Sequence, residues 1–338
     1  MVNAREGLWI RRAVAAVLLG ACLAISCVGC APAVQQGASS AAASSAAEAA
    51  SSGSAGTVDS QKTATSAKPA AFEEDPAFDD MKAEVEALVS ASGIDVGVAF
   101  ISLADDARSP GFSIHGDMRL VSASMIKLLV LAEFLDEVEA GTLSMGDMYT
   151  LAADDIVGGT GSIQSAAVGT QYTLGELARL MISESDNIAA NVLIERMGMD
   201  AVNAQAEKLG LENTQLVRLM MSDDAQEGHV ENMMSAKDTA TLLARIWRGQ
   251  LVSAEASAFA LEALEAQTDG TGIVQGLPDG VVFAHKTGTL AQVENDGGIV
   301  ELDEGTPYVL TVFCAGGDEA TSMKLMAEIS RIVYDRIA

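Results

Sequence analysis

Residues 73–338 are expected to form an α+β body. Two patterns predict this. Runs rich in β-branched and aromatic residues lie near both ends of this stretch, and helix-spaced apolar residues fill the middle. Terminal strands flanking a helical block pair into one sheet, with the helices packed beside it. Composition adds a third argument. The chain of 338 residues is 49% hydrophobic and only 20% charged, too apolar for a disordered protein.

The elements follow in order. Asp75-Pro76 opens a helix, with Asp as cap and Pro in the first turn. Phe78, Met81, Val85, Leu88 and Val89 fall at helical spacing, and Gly93 stops the helix. Ile94–Leu103 and Gly111–His115 read as strands, with Pro110 in the loop between them. A mainly helical region runs from Ser124 to about Gln267. Within it, Thr173-Leu174-Gly175-Glu176 is a capping box. Asp186 or Asn187 caps the next helix, which ends at Gly198. Ser235 opens another, ending at Gly249. Strands return at Val281–Lys286, Gly298–Leu302 and Tyr308–Ala315, and a helix from about Glu319 completes the body.

Residues 1–30 read as an export leader. Arg11 and Arg12 precede an uncharged stretch from Ala13 to Cys30, a basic region followed by an apolar one. The competing reading is an uncleaved anchor, since the run is just long enough to span a bilayer. Three of the four cysteines lie here. The stretch resembles a bacterial lipoprotein signal. Leu19-Gly20-Ala21-Cys22 fits its cleavage box by residue type, but Cys30 stands where the apolar run gives way to a polar tail. Cys30 is therefore the expected lipidation site, and two acyl chains would hold the protein at the membrane surface. Residues 31–72, rich in Ala, Ser and Gly, are expected to be a flexible tether. Cys314 lies in a strand-like run and is expected to be a buried, inert thiol.

Charge narrows the function. Asp and Glu number 47 against 20 Lys and Arg, a formal net charge of −27. That disfavours nucleic acid and an electrostatic hold on anionic lipid. The three histidines, His115, His229 and His285, include no pair at metal-ligand spacing, so neither metal nor cofactor is expected.

Three short motifs can carry chemistry. Ser124-Met125-Ile126-Lys127 puts a hydroxyl and an amine one turn apart at a helix start. A serine needs a base to become a nucleophile, and a lysine in a closed site can have its pKa lowered enough to serve. Helix-terminal N–H groups favour a developing oxyanion there. Standing alone, the motif reads first as a helix cap with a surface lysine. Ser185-Asp186-Asn187 could supply a proton-shuttling hydroxyl and an amide, or simply a cap. Lys286-Thr287-Gly288, at a strand end, can grip a carboxylate while glycine admits another backbone, or can be an ordinary turn.

The order S-x-x-K, S-D-N, K-T-G, on a helix start, an inter-helix turn and a late strand, resembles the signature of serine β-lactamases and penicillin-binding proteins. Gly158–Gln164, Tyr172–Leu177 and Asn295–Ile299 also resemble segments of class A β-lactamases. This resemblance covers about residues 76 to 338. It implies a five-stranded antiparallel sheet beside an all-helical lobe, with the site between them. It implies Ser124 as the acylated nucleophile, Lys127 as its base and Ser185 as proton relay. Asn187 would bind a substrate amide. Lys286, Thr287, Gly288 and Thr289 would form the carboxylate subsite, and the N–H groups of Ser124 and Thr289 the oxyanion hole. The implied substrate is a β-lactam or a related cell-wall amide, acted on by a monomer.

One departure stands out. Class A enzymes carry a loop glutamate that activates the deacylating water. Counting from Arg218 places Met220 there, and the asparagine that follows in the E-x-x-L-N pattern is missing. Asp223, Asp224, Glu227 and Glu231 are acidic neighbours expected to form a solvated loop face. No Arg or Lys lies between Lys286 and Lys324 to give the carboxylate subsite a second cation. Acylation with slow release is therefore expected. The alternatives are a D-alanyl-D-alanine peptidase and a binder without turnover.

Overall fold

A computed structural model describes residues 71–105, 107–222 and 230–338. Cys22, Cys27, Cys30 and most of the expected tether lie outside these residues, as do Asp223, Asp224 and Glu227. The body begins with β1 (Phe72–Glu74), a 3-10 turn at Pro76–Phe78 and α1 (Asp79–Ser92). Asp75 caps the turn, accepting from the Ala77 amide, and Gly93 ends α1 in the left-handed region. Next come β2 (Asp95–Ser102), β3 (Ser109–Ile114) and β4 (Leu120–Val121). A 3-10 turn, Ala123–Ile126, then leads into α2 (Lys127–Ala140).

β5 (Met148–Thr150) pairs with β6 (Gln171–Thr173) ahead of α3 (Leu174–Ser183), which Thr173 and Glu176 close with the expected reciprocal capping box. α4 (Asn187–Met197), α5 (Met199–Leu209), β7 (Met233–Met234), α6 (Ala236–Trp247) and α7 (Ala254–Glu265) follow. The chain closes with β8 (Val282–Leu290), β9 (Val293–Glu301), β10 (Tyr308–Ala315) and α8 (Glu319–Ile337). Asp186 caps α4 and Ser235 caps α6, each by accepting a backbone N–H inside the first turn.

The main sheet has the order β1-β3-β2-β10-β9-β8. Five strands are antiparallel, as the resemblance implied. The sixth, β1, is a three-residue addition parallel to β3. Pro110 lies inside β3, not in a loop before it, as the second residue of the strand. α1 and α8 cover one face of the sheet, over a core that includes Phe100, Phe112 and Tyr308. The helical block covers the other, with α2 fully buried along most of its length. Cys314 is buried in β10 and its thiol is pushed up to about 12, chiefly by burial, so it is inert as expected.

β8 and β9 extend well beyond their expected ends. They form one hairpin from Val282 to Glu301, joined by only Ala291 and Gln292. Gln292 takes the left-handed conformation that a tight hairpin turn requires. No glycine or asparagine marks that turn, so the sequence offers no signal for it. Lys286-Thr287-Gly288 accordingly lies within a continuous edge strand. No described helix is long and apolar enough to cross a membrane.

Candidate active site

The three motifs converge. Ser124 sits on the 3-10 turn, and Lys127 is the first residue of α2. Ala123, before Ser124, holds φ of +46°, a left-handed conformation that costs energy in a non-glycine residue. The turn is held from three sides. Ser122 N–H donates to the Asn232 carbonyl at 2.8 Å. Asn295 Nδ2 donates to the carbonyls of Val121 and Ser122. Gly288 of β8 packs against it so closely that an added Cβ would lie 2.8 Å from the Ser122 carbonyl oxygen. The glycine thus admits the backbone of the Ser124 turn, whereas the resemblance counted Gly288 in a carboxylate subsite.

Lys127 Nζ is fully buried and lies 3.1 Å from Ser124 Oγ and 3.1 Å from Ser185 Oγ. It donates to the Ser185 carbonyl and to Asn187 Oδ1, both at 2.7 Å. Burial foremost, and then the charge of Lys286, hold its pKa well below the ordinary lysine range, against the pull of Asp186. Lys286 Nζ is equally buried, 3.0 Å from Ser185 Oγ, and donates to the Thr287 carbonyl at 2.6 Å. Burial lowers it to about 7, opposed by the carboxylates of Asp296 and Asp269. Ser185 Oγ therefore bridges two amines whose charged forms burial disfavours. Ser185 is itself left-handed, at φ +54°, and its carbonyl also receives Thr160 Oγ1 at 2.6 Å.

Asn187 uses its other end as well. Its Nδ2 donates to the Gly158 carbonyl at 3.0 Å, so one amide hydrogen is taken by the protein. The glycine-rich segment presses against this turn. A Cβ on Gly161 would fall 2.1 Å from Asp186 Oδ2, which accepts the Ile163 amide. Thr287 and Thr289 line the same cleft, of about 310 Å³, together with Ser124, Ser185, Asn187 and Met220.

Comparison with known proteins then decides the family. A family model described as the beta-lactamase enzyme family matches residues 80–337. The chain belongs to this family. Beta-lactamase VEB-1 of Pseudomonas aeruginosa is 22% identical over 274 residues, covering 76% of this chain and 90% of that relative. Among solved structures, PBP-A is similar with a TM-score of 0.71 and 28% identity, over 79% of this chain and 98% of that one. A mutant of PBP-A is described as an acyl-enzyme complex with penicillin G. A beta-lactamase from Sphaerobacter thermophilus gives a TM-score of 0.69 at 28% identity, over 77% of this chain and 97% of its own.

This β-lactamase-like serine hydrolase has Met220 in its cleft, as counting from Arg218 implied. Asn191, one turn beyond Asn187 on α4, clamps the Met220 backbone. Its Oδ1 accepts the Met220 amide at 2.7 Å and its Nδ2 donates to the Met220 carbonyl at 3.0 Å. Glu231 is not a solvated loop-face acid. It accepts from Arg218 at 2.6 and 3.0 Å and is half-buried. Asn232 accepts the amides of Val217 and Arg218 and donates to the Arg218 carbonyl.

Sequence reasoning missed Asn191, Asn232, Asn295 and the carboxylates behind β8. The i to i+4 spacing of Asn187 and Asn191, set among the apolar residues Ile188–Ile194, was an available signal. The carboxylates are Asp296, paired with buried His285 at 2.9 Å, and Asp269 and Glu294. Asp269 accepts from the Thr271 amide and hydroxyl. Glu294 accepts from Thr289 Oγ1 at 2.8 Å. Burial would raise Asp269, but these hydrogen bonds and His285 hold it low. Glu294 stays raised, by burial first and then by Glu319 and Asp269, against the Thr289 hydrogen bond.

Proposed function

We propose that Ser124 attacks the carbonyl of a β-lactam or related cell-wall amide and becomes acylated. The observation that carries this is the 3.1 Å approach of a buried, charge-disfavoured Lys127 amine to Ser124 Oγ. A neutral amine has two hydrogens and one lone pair. The carbonyl oxygens of Ser185 and Asn187 can only accept, and at 2.7 Å they take both hydrogens. The lone pair is then left for the Ser124 proton. As the Ser124 ester forms, that proton passes to Lys127. Ser185 Oγ, in reach of both amines, donates its own to the departing nitrogen as the carbon–nitrogen bond breaks, and is reprotonated from Lys127. The N–H groups of Ser124 and Thr289 serve as the oxyanion hole. Asn187 turns its remaining amide hydrogen to the substrate. Lys286, Thr287 and Thr289 form the subsite for the group beside the reacting amide.

Release of the acyl group is slow, because Met220 stands where a general base would act. That feature also favours the second reading, a D-alanyl-D-alanine peptidase or non-turnover penicillin binder using the same Ser124. Export and lipidation at Cys30 would place either activity at the outer face of the cell membrane. Intact mass followed over time after adding a penicillin tests the assignment. Wild type should gain one penicillin mass and keep it. Ser124→Ala, still folded, should gain none, and equal labelling of the two would refute it.

A further inference from the structure

Asn295 stands in β9 directly across from Gly288 of β8, and paired residues of neighbouring strands present their side chains to the same face. Gly288 has no side chain to present. A Cβ added there would meet the Ser122 carbonyl oxygen at 2.8 Å and the Met125 amide nitrogen at 3.1 Å. The Asn295 side chain reaches the same turn. Its Nδ2 donates to the Val121 carbonyl at 2.9 Å and to the Ser122 carbonyl at 3.1 Å, so both amide hydrogens are used. Its Oδ1 is buried with no hydrogen-bond partner among the described residues. Turning the amide over would set that oxygen against two carbonyl oxygens, so its orientation is forced. The residue is 3% exposed, and solvent does not compete for these bonds. The two carbonyls come just before Ala123, whose left-handed backbone is unfavourable without support.

We infer that Asn295 is a positioning residue for acylation, clamping the turn before Ser124 onto the β8–β9 hairpin so that the N–H groups of Ser124 and Thr289 keep the spacing one oxyanion needs. This rests on Ser124 being the acylated residue. The two N–H groups belong to different elements, the turn before α2 and the edge strand β8. Local backbone geometry therefore does not fix their separation. Gly288, one residue before Thr289, lets the turn approach, and Asn295 keeps it from backing away. The Ser122 N–H ties the same turn to Asn232, which is not part of the hairpin, so that bond cannot replace the clamp. Such donors must lie about 2.7–3.1 Å from the developing oxygen to be effective.

The test separates the maximal acylation rate from the penicillin G concentration that gives half of it, both read as mass gain on Ser124. Asn295→Leu removes both donors together with the unpaired Oδ1 and keeps the volume of the side chain. Its maximal rate should fall about 100-fold, the loss expected for a misplacement of about 1 Å, while the half-saturating concentration changes less than about threefold. Phenylboronic acid forms a tetrahedral adduct on a serine, with an oxygen between the same N–H groups. Its binding should weaken by about tenfold or more. A role confined to stability would lower the melting temperature and leave both readouts of the folded fraction unchanged. Asn295→Asp keeps the shape but not the donors, and serves if the first variant does not fold. An unchanged maximal rate and boronate affinity in a folded variant, or a loss confined to the half-saturating concentration, would overturn the inference alone. No adduct of the wild type with penicillin G would overturn the Ser124 reading as well.

Discussion

Two buried lysines meet at one hydroxyl, and their protonation states must differ for the chemistry to run. On the proposed route Lys127 has to be neutral to take the Ser124 proton, and its surroundings push it that way. On the same route Lys286 would act as a cation in holding substrate, yet burial brings it to about 7. Acylation by penicillin G should therefore rise with pH as Lys127 sheds its proton. It should fall again above about 7 as Lys286 loses its charge. Lys286→Arg keeps its charge throughout this range. It should shift the alkaline limb upward by a unit or more while leaving the acid limb in place. Labelling rates measured from pH 5 to 10 check both limbs, and an alkaline limb that does not move would assign it to another group. Ser124, Lys127, Ser185, Asn187 and Lys286 were legible as residues because each belongs to a short motif. Glu294, Asp269 and Asn191 were not, because their partners lie on other elements or carry no motif.

At the scale of elements, local signals foretold most boundaries. Asp75, Thr173, Asp186 and Ser235 each cap where their side chains suggested, and Gly93 ends α1. What stayed hidden depends on pairing. β1 has three residues and exists because β3 offers it an edge. The β8–β9 hairpin runs on through Lys286-Thr287-Gly288 because β9 zips against it, with no turn residue to betray the reversal. The short segment Val217–Met220 has its own logic. Asn191, Asn232 and the Arg218–Glu231 pair hold it, and Met220 lines the cleft. Because Asn191 holds the backbone of residue 220, a new side chain there should keep the same direction. Met220→Glu is therefore expected to raise the steady-state rate of nitrocefin hydrolysis after the acylation burst. General-base help is worth about 10²–10⁴ in rate. The missing asparagine after the usual glutamate should keep the gain near the lower end of that range. A burst followed by an unchanged steady rate would show that water does not reach this position.

At the scale of the whole described body, the sheet keeps stability and chemistry on different sides. Phe100 anchors the core under α1 and α8. It stacks on Phe112 with centroids 5.4 Å apart, meets Phe78 edge-on at 5.0 Å and lies 5.7 Å from Tyr308. Met125 and Ile126, which flank Ser124 and Lys127, belong instead to the core on the opposite face. Emptying the Phe100 site should therefore cost stability without disturbing the Ser124–Lys127–Ser185 geometry. Phe-to-Ala changes in cores cost about 3–5 kcal/mol. In a domain of this size each kcal/mol moves Tm by about 2–4 °C. Phe100→Ala should thus melt about 6–20 °C lower than wild type. At 25 °C the folded fraction should still label with fluorescent penicillin at the wild-type rate. Calorimetry and labelling on one sample separate the two effects. A folded variant that labels much more slowly would mean that the sheet transmits strain from one core to the other, through the β8 edge that packs against the Ser124 turn.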